Sequence, residues 1–338
     1  MSTAEQPPPP AQLLQMLFGF MVTRGISAVA ELNVPDALKD GPRAIADLAR
    51  AVDAHERSLG RVMRTLVSTG LFAEPEPGTY ALTPVSELLR TDVPASMRDM
   101  AVMITAKSHW QPWGQFADTL RTGESSAQHA FGTDVFSWFQ RAENKDEWDL
   151  FNAAMTSFSS GTSLAVAESY DFSRFAKVVD IGGGHGFLLK TILSKVPAAR
   201  GVLFDLPGAI EGADQAALGE RIECVGGSFF DGVPQGGDCY TLKHIIHDWG
   251  DERCRAILGH IATAMVPTAS VLVVEMVMPD GPEPHPAKFM DLNMLAVTEG
   301  GTERTKVEFA ALFASAGLEL VAVHPTDSPV SIIEARKA

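Results

Sequence analysis

The feature that most constrains the fold is a glycine-rich segment at 178–186, Val-Val-Asp-Ile-Gly-Gly-Gly-His-Gly. Two β-branched residues, an acid and then closely spaced glycines predict a buried strand, a tight turn and a helix from about Phe187 to Val196. Glycine is needed where φ is positive or where a ligand lies against bare backbone. Gly182 and Gly184 match the first two glycines of the dinucleotide fingerprint, but Phe187 stands where the third belongs. The segment therefore indicates a turn that binds a ligand other than a dinucleotide.

The acids around this segment indicate which ligand. The pattern Asp-x-Gly-x-Gly-x-Gly at 180–186 resembles the first motif of S-adenosylmethionine methyltransferases, in which Asp180 would face a cationic amino-acid ligand. Asp205 ends the next apolar run, and in nucleotide-binding α/β sheets an acid at this place binds the ribose hydroxyls. The two acids together favour an S-adenosylmethionine site over a plain tight turn.

The second half of the chain alternates between predicted strands and helices. Strands are predicted at 177–181, 201–205, 222–226, 239–245 and 270–277, followed by a helix and two strands over 306–333. This alternation is typical of an α/β fold with a largely parallel sheet. We therefore predict a Rossmann-like cofactor domain over residues 166–338.

The first hundred residues predict a smaller, mostly helical domain over 11–100. Helices at 44–51 and 56–68 precede a hairpin around Pro77-Gly78, which is a winged-helix order of elements. Arginines on one face of the second helix are also typical of a DNA-recognition helix. Positions 1–105, however, hold nine basic and twelve acidic residues, and a net charge of −3 disfavours binding to the DNA phosphates. A solvated or dimer-facing set of arginines is favoured over a DNA-binding one.

Two further stretches are strongly apolar. Residues 11–38 are apolar nearly all round the predicted helix, which fits burial either in a partner subunit or in the chain's own domain. The apolar run Leu13–Val22 is shorter than a bilayer span. Residues 101–165 are rich in methionine and aromatic side chains, so we predict a helical connector that contributes to an acceptor pocket.

Composition restricts the partners and the location. The net charge of −15 with pI ≈ 5.0 argues against nucleic-acid and anionic-membrane partners. The 3 cysteines form no C-x-x-C pair, which suits a reducing compartment. The proline run in Met1–Pro10 predicts a disordered tail and lacks the basic residues of a secretory signal. We expect a cytoplasmic protein.

The segment Leu242–Trp249 carries the candidate catalytic base. His247 follows the fourth strand of the predicted sheet, and open α/β sheets bind ligands beyond the carboxyl ends of their strands. A phenol titrates near ~10 and histidine near ~6.5, so an imidazole can take the proton as a new C–O bond forms. Glu275, at another strand end, and Glu303 could orient this base. Glu303 could instead be an acid at the start of a helix capped by Thr305.

Several longer motifs identify a family. They are Phe-Asp-Leu-Pro at 204–207, His-Asp-Trp at 247–249, Phe151-Asn152 with Met155, and Gly-Gly-Thr-Glu-Arg-Thr at 300–305. With the glycine segment, they resemble the small-molecule O-methyltransferases of the plant caffeate and isoflavone type and their bacterial natural-product relatives. The resemblance covers nearly the whole chain. It implies a homodimer with an N-terminal dimerisation domain and a class I methyltransferase domain. The sequence has no set of clustered aspartates on short loops, which the metal-dependent class needs, so we expect an enzyme that needs no metal.

The resemblance also implies roles for individual residues. Catalytic roles fall on His247, Glu275 and Glu303; cofactor binding on Asp180, Gly182, Gly184, Asp205, Leu206, Ser228, Phe229 and Lys243; acceptor binding on Phe151, Met155, Asp248, Met294 and Thr298. Two positions depart from the family pattern. Ser228-Phe229 stands where the family often has Asp-Met, so the adenine site loses a charge, and Thr298 stands where asparagine is common.

The predicted function is methyl transfer from S-adenosylmethionine to a hydroxyl of an aromatic or polyketide-like small molecule, with S-adenosylhomocysteine as product. Two alternatives remain open. Relatives with this fold and cofactor carry out N-methylation, or hydroxylation, decarboxylation and cyclisation, although intact His247, Glu275 and Glu303 argue against loss of methyl transfer. A winged-helix regulator that senses a ligand is less favoured because of its charge.

Overall fold

The computed structural model describes residues 7–94, 96–213 and 218–338. It divides into two compact units, Met1–His109 and Trp110–Ala338. The boundary falls inside the predicted helical connector, residues 101–165. Of the predicted disordered tail, residues 1–6 lie outside the described residues, and Pro9 already begins the first helix.

The first unit combines helices with a small antiparallel sheet. Its elements are α1 (Pro9–Glu31), α2 (Val34–Ala37), β1 (Arg43–Ala44), α3 (Ile45–Ala51), α4 (Glu56–Ser68), β2 (Phe72–Glu76), β3 (Thr79–Leu82), α5 (Pro84–Glu87) and α6 (Arg98–Met103). The strand order is β1-β3-β2, with β3 antiparallel to both neighbours. On α4, Leu59, Met63 and Leu66 are buried while the arginines stay exposed. The predicted helix–helix–hairpin order is confirmed.

Helix α1 leaves most of its apolar surface uncovered. Leu13, Leu14, Met16, Leu17, Phe18, Phe20 and Met21 are 48–76 % exposed, whereas Val29 and Ala30 are buried. Burial in its own domain is therefore wrong for the first half of the helix. With 23 residues and a mean hydropathy of 1.5, α1 is also long and apolar enough to cross a membrane. The prediction from Leu13–Val22 alone was wrong about this length, because the helix extends beyond that run at both ends. One such helix near an N-terminus is weak evidence for a span.

The helices of the second unit include several short ones and one long one. They are α7 (Lys107–Gly114), which runs across the unit boundary, α8 (Phe116–Thr122), α9 (Ser126–Phe131), α10 (Val135–Phe139), α11 (Lys145–Ser169), α12 (Phe187–Lys195), α13 (Pro207–Gly212), α14 (Asp251–Ala264), α15 (Pro286–Val297) and α16 (Lys306–Ser315). Single 3₁₀ turns occupy Ala142–Asn144 and Ile246–Asp248. Left-handed glycines at 123 and 132 end α8 and α9, which breaks the predicted helical stretch into pieces.

The second unit is built on a seven-stranded sheet. Its strands are β4 (Lys177–Ile181), β5 (Arg200–Asp205), β6 (Ile222–Gly226), β7 (Cys239–Lys243), β8 (Ser270–Glu275), β9 (Leu318–Pro325) and β10 (Ser331–Lys337), in the order β6-β5-β4-β7-β8-β10-β9. Strands β4 to β8 are parallel, and β10 runs antiparallel to β8 and β9. The strand order reverses at β4, so the carboxyl ends of β4, β5, β7 and β8 surround a topological switch point. The predicted α/β fold is confirmed.

Side chains on the two faces of this sheet form two hydrophobic cores. Val179 and Tyr240 point into one core, and Val178 and Cys239 point into the other. Two strands end earlier than predicted. Strand β7 ends at Lys243 because His244 takes a left-handed φ of 55°, and β8 ends at Glu275. The chain thus leaves the sheet where the candidate catalytic residues begin.

Candidate active site

The glycine turn after β4 leaves bare backbone at the switch point. Gly182 and Gly184 have φ of 65° and 55°, a region that other residues rarely adopt. A Cβ on Gly182 would collide with Cδ1 of Ile245, whereas one on Gly184 would meet nothing within 4 Å. Asp205 accepts hydrogen bonds from the amides of Gly184 at 2.7 Å and Leu206 at 2.6 Å. The turn and the acid predicted for the ribose therefore form one connected unit.

Asp180 and Lys243 lie on neighbouring strands beneath this turn. Asp180 is 1 % exposed and accepts a hydrogen bond from Oγ1 of Thr241 at 2.7 Å, while its Oδ2 has no hydrogen-bond partner. Burial raises the pKa of Asp180 to about 6, and burial lowers the pKa of Lys243 to about 8. Nζ of Lys243 donates to Oγ of Ser159 at 2.5 Å. An unpartnered buried carboxylate oxygen next to an open glycine turn fits a ligand that carries an ammonium group.

A 3₁₀ turn after β7 carries the candidate base. The backbone amides of Ile245, Ile246 and His247 all point at Oε1 of Glu275, at 3.0, 3.0 and 3.4 Å. Glu275 itself is fully buried at the end of β8. The sequence indicates only that Glu275 could orient the imidazole, and the structure adds that it holds the backbone of the turn.

The His247 imidazole bonds to a second carboxylate. Its Nδ1 lies 2.7 Å from Oε1 of Glu303 and 3.4 Å from Oε2 of Glu275. A carboxylate only accepts, so we assign a proton to Nδ1 and leave Nε2 as the basic nitrogen. Nε2 lies 3.7 Å from Oδ1 of Asp248. The ring is thus oriented by Glu303 and presents Nε2 on the opposite side.

The three carboxylates change the proton affinity of this imidazole. Burial alone would lower the pKa of His247, but Glu275, Asp248 and Glu303 raise it to about 10. Burial raises the pKa of Asp248 to about 6 and that of Glu275 to about 7, although His247 opposes both changes. The site therefore holds a proton more tightly than a free histidine does. An imidazole pKa of about 10 matches that of a phenol, near ~10.

Glu303 is positioned by the loop before α16. Oδ1 of Asp291 accepts from the Glu303 amide at 2.9 Å and from Oγ1 of Thr302 at 2.8 Å. Thr305 caps α16 in a capping box with Glu308. The alternative role of Glu303 as a helix-start acid is therefore taken by Glu308, and Glu303 bonds to His247 instead.

The predicted acceptor residues outside the His247 turn lie on two helices and directly after one of them. Phe151 and Met155 are half-buried on α11, and Met294 is buried on α15. Oγ1 of Thr298 donates to the carbonyl of Met294 at 2.8 Å, so its hydroxyl is already bonded within the helix end.

On the adenine side, Phe229 packs edge-on against Phe230 and lies next to Gly182. Oγ of Ser228 accepts from the Phe230 amide at 3.2 Å. Their predicted contacts with adenine remain predictions.

Comparison with protein families decides the identity of the chain. The O-methyltransferase domain matches residues 113–319, and the O-methyltransferase dimerisation domain matches residues 14–92. The chain belongs to the O-methyltransferase family. Its cofactor is S-adenosylmethionine, and the dimerisation domain supports a homodimer.

Curated relatives of this O-methyltransferase align along nearly their full length. It is 40% identical to a phenazine O-methyltransferase of Lysobacter antibioticus (96% of this chain, 95% of the relative). It is 38% identical to a mitomycin biosynthesis 6-O-methyltransferase of Streptomyces lavendulae (96% and 93%). It is also 34% identical to an 8-amino-8-demethylriboflavin N,N-dimethyltransferase of Streptomyces davaonensis (91% and 90%).

Solved structures agree with these relatives. The crystal structure of human N-acetylserotonin methyltransferase in complex with S-adenosylmethionine has a TM-score of 0.90 at 31% identity, and the alignment covers 100% of both chains.

Some residues of the O-methyltransferase site were not found from the sequence. Arg304 and Asp291 hold the loop and the turn around His247, and Thr156 bonds His185 of the glycine turn at 3.1 Å. The sequence signal that could have indicated a role for Arg304 is its position directly after Glu303. Nitrogen and oxygen atoms of His244, His247 and Glu275 also lie within 4.8 Å of one another, close enough for a metal ion. Nδ1 of His247 is bonded to Glu303 in this arrangement.

Proposed function

We propose that this S-adenosylmethionine-dependent O-methyltransferase uses His247 as the general base that deprotonates a hydroxyl of an aromatic or polyketide-like acceptor. When bound, S-adenosylmethionine supplies an already electrophilic methyl group. The chain must therefore bind the two substrates, exclude water and accept one proton. The observation that carries the proposal is the 2.7 Å contact between Nδ1 of His247 and Glu303, which leaves Nε2 as the basic nitrogen.

The proton balance supports this role. As the acceptor oxygen becomes nucleophilic, its proton passes to Nε2 of His247, and the resulting imidazolium is stabilised by Glu303 and Glu275. Only the neutral imidazole can accept this proton, so turnover of a neutral phenol should rise as the pH approaches the pKa of His247. The carboxylates around His247 raise its pKa to about 10, close to that of a phenol, so the neutral imidazole and the phenolate have similar affinities for the proton.

The acceptor class rests on the relatives and on the aromatic surroundings. The relatives' names include a phenazine and a mitomycin O-methyltransferase. Phe136 stacks on Trp249 with ring centroids 5.4 Å apart and meets Phe151 edge-on at 6.2 Å. Trp249 directly follows the 3₁₀ turn Ile246–Asp248, which carries His247 and is called the catalytic turn below. An extended aromatic surface of this kind favours a flat, aromatic acceptor.

Subunit association and location complete the proposal. The exposed apolar side chains of α1 support its burial against a second copy of the chain, since monomers rarely expose such surface. All 3 cysteines are free, which supports a cytoplasmic location.

We further infer that catalysis needs no metal ion, so dialysis against EDTA is expected to leave the turnover of the enzyme unchanged.

N-methylation is the second candidate, because one relative is named as an N,N-dimethyltransferase. The His247–Glu303 pair favours a hydroxyl, since a neutral amine is nucleophilic before it loses a proton. A His247→Ala variant separates the two. With a neutral phenol, kcat should fall by roughly 10²–10⁴-fold, the usual contribution of a positioned base. With a nitrophenol that is already ionised at the assay pH, the loss should be much smaller.

The matched control is His129→Ala, which removes an imidazole bonded to Thr122 on α8. It should leave both rates unchanged. Calorimetry with S-adenosylhomocysteine should show that His247→Ala still binds the cofactor product. Near-normal turnover of the neutral phenol by His247→Ala would contradict the proposed base and favour an amine or carbon acceptor.

A further inference from the structure

Arg304 is a buried cation that bonds to the catalytic turn. The residue is 2 % exposed, and its guanidinium donates to the carbonyl of Ile246 at 3.0 Å and to that of Trp249 at 2.9 Å. These two carbonyls lie on either side of His247 in the chain. The guanidinium also pairs with Asp251 at 2.7 Å, and the Asp251 side chain is 80 % exposed.

The turn is thus bonded from both of its backbone edges. Glu275 accepts from the amides on one edge, and Arg304 donates to the carbonyls on the other. Sγ of Cys254 lies 3.2 Å from the same two carbonyls and supports them more weakly. A planar guanidinium can reach two carbonyls at once, whereas an ammonium group acts as a single point of charge.

Arg304 is also covalently joined to the partner of His247. It directly follows Glu303, and the amide of Thr302 donates to the carbonyl of His247 at 2.9 Å. The Arg304 backbone is itself tied to the end of the sheet, because its carbonyl accepts from the amide of Met278 at 2.9 Å. One short segment therefore carries both the carboxylate that bonds the His247 imidazole and the guanidinium that bonds the backbone on either side of His247.

We propose that Arg304 is a positioning residue for methyl transfer, which fixes the turn carrying His247 at the distance from Glu303 that proton transfer requires. This inference rests on the proposed role of His247 as base. Arg304 does not touch the reacting atoms, and it acts through His247. A displacement of a catalytic group by about 1 Å can cost 10²-fold in rate, so a loss of these two bonds should be visible in kcat.

The test uses Arg304→Lys, which keeps the charge, and Arg304→Met, which removes it. Both should lower kcat for a neutral phenol by roughly 10–10²-fold. Both should change the turnover of a pre-ionised nitrophenol by no more than about two-fold, which is clearly smaller than the 10–10²-fold loss expected with the neutral phenol. Affinity for S-adenosylhomocysteine should stay near that of the unmodified enzyme. In an NMR titration of labelled histidine, the pKa of His247 should move, because its distance to Glu303 changes.

Asp251→Asn is the matched control, since it removes the ion pair of Arg304 but leaves both carbonyl bonds. It should behave like the unmodified enzyme in every assay. If the Arg304 variants lose equal activity with both acceptors, or lose only melting temperature, Arg304 has a structural role and the proposal is wrong. If Arg304→Met does not fold, Arg304→Lys and its histidine titration decide alone.

The same assays keep the two proposals apart. Normal turnover by His247→Ala would remove the base and with it this inference. A large loss by His247→Ala, combined with an unchanged acceptor ratio in Arg304→Lys, would overturn only the role of Arg304.

Discussion

Replacing Glu303 with glutamine should lower the pKa of His247, and the structure gives the size of the change. The glutamine side chain would keep an oxygen that accepts from Nδ1 but would remove the negative charge 2.7 Å away. Without that charge the imidazolium is less stable, so it loses its proton at lower pH. The perturbation therefore separates the charge of Glu303 from its hydrogen bond.

The magnitude follows from the number of carboxylates. Against burial, Glu275, Asp248 and Glu303 together raise the pKa of His247 from 6.5 to about 10. One unit of pKa corresponds to about 1.4 kcal/mol, so the net rise is of the order of 5 kcal/mol, and the carboxylates together contribute more than this because they also offset the effect of burial. A single pair of charges about 4 Å apart is worth at most ~4 kcal/mol at an effective dielectric constant of 20. An equal share for each carboxylate predicts a fall of roughly one to two pH units in Glu303→Gln.

Two measurements check this value. NMR titration of labelled histidine gives the pKa of His247 directly, and the signal that disappears in His247→Ala identifies it. The acid-side limb of the kcat profile should move to lower pH by the same amount, because a general base acts only after it has lost its own proton. The maximal rate with a neutral phenol should fall because the base is weaker. The control is Glu299→Gln, an exposed acid on the same loop that pairs with Arg253. A pKa of His247 that stays the same or rises in Glu303→Gln would refute the reasoning.

Three further predictions concern the cofactor, the dimer and stability. Asp205→Ala should weaken S-adenosylmethionine binding by roughly 1.5–3 kcal/mol, measured by calorimetry, and unchanged affinity would remove Asp205 from the site. Deleting the exposed half of α1, residues 7–21, should give insoluble protein or a monomer, and a soluble dimer of normal size would point to another interface. Despite burial, hydrogen bonds from His324, Arg174 and Ser270 lower the pKa of Glu334 from 4.5 to about 2, so its contribution is present above about pH 4.5 and lost as the pH falls towards 2. Glu334→Gln should therefore reduce the free energy of unfolding by at most about 3 kcal/mol at pH 7 and by little near pH 2. Equal urea midpoints at pH 7 would contradict this.

The sheet and the place of the site were predictable because local patterns determine them. The glycine turn requires positive φ, the acids end their strands, and parallel strands bring those ends to one edge. The sequence therefore placed His247, Glu275 and Asp205 at one edge, and the structure has them there. Their individual roles remain predictions.

Other features depend on contacts that no pattern in the chain reveals. Glu275 accepts from three amides only because His244 turns the chain out of the sheet with positive φ. The Thr298 hydroxyl bonds inside its own helix, which its position in the motif did not indicate. Helical periodicity showed that α1 is apolar but not which surface covers it.

Helix α11 connects the two predicted binding sites through one rigid element. It carries Phe151 and Met155 towards its start, Thr156 bonds the glycine turn through His185, and Ser159 bonds Lys243. An acceptor that shifts this helix should therefore also shift groups that are predicted to bind the cofactor. Thermodynamic linkage then requires reciprocity: the factor by which a bound cofactor changes acceptor affinity equals the factor by which the acceptor changes cofactor affinity. Affinities for S-adenosylhomocysteine measured with and without an acceptor would give that factor directly.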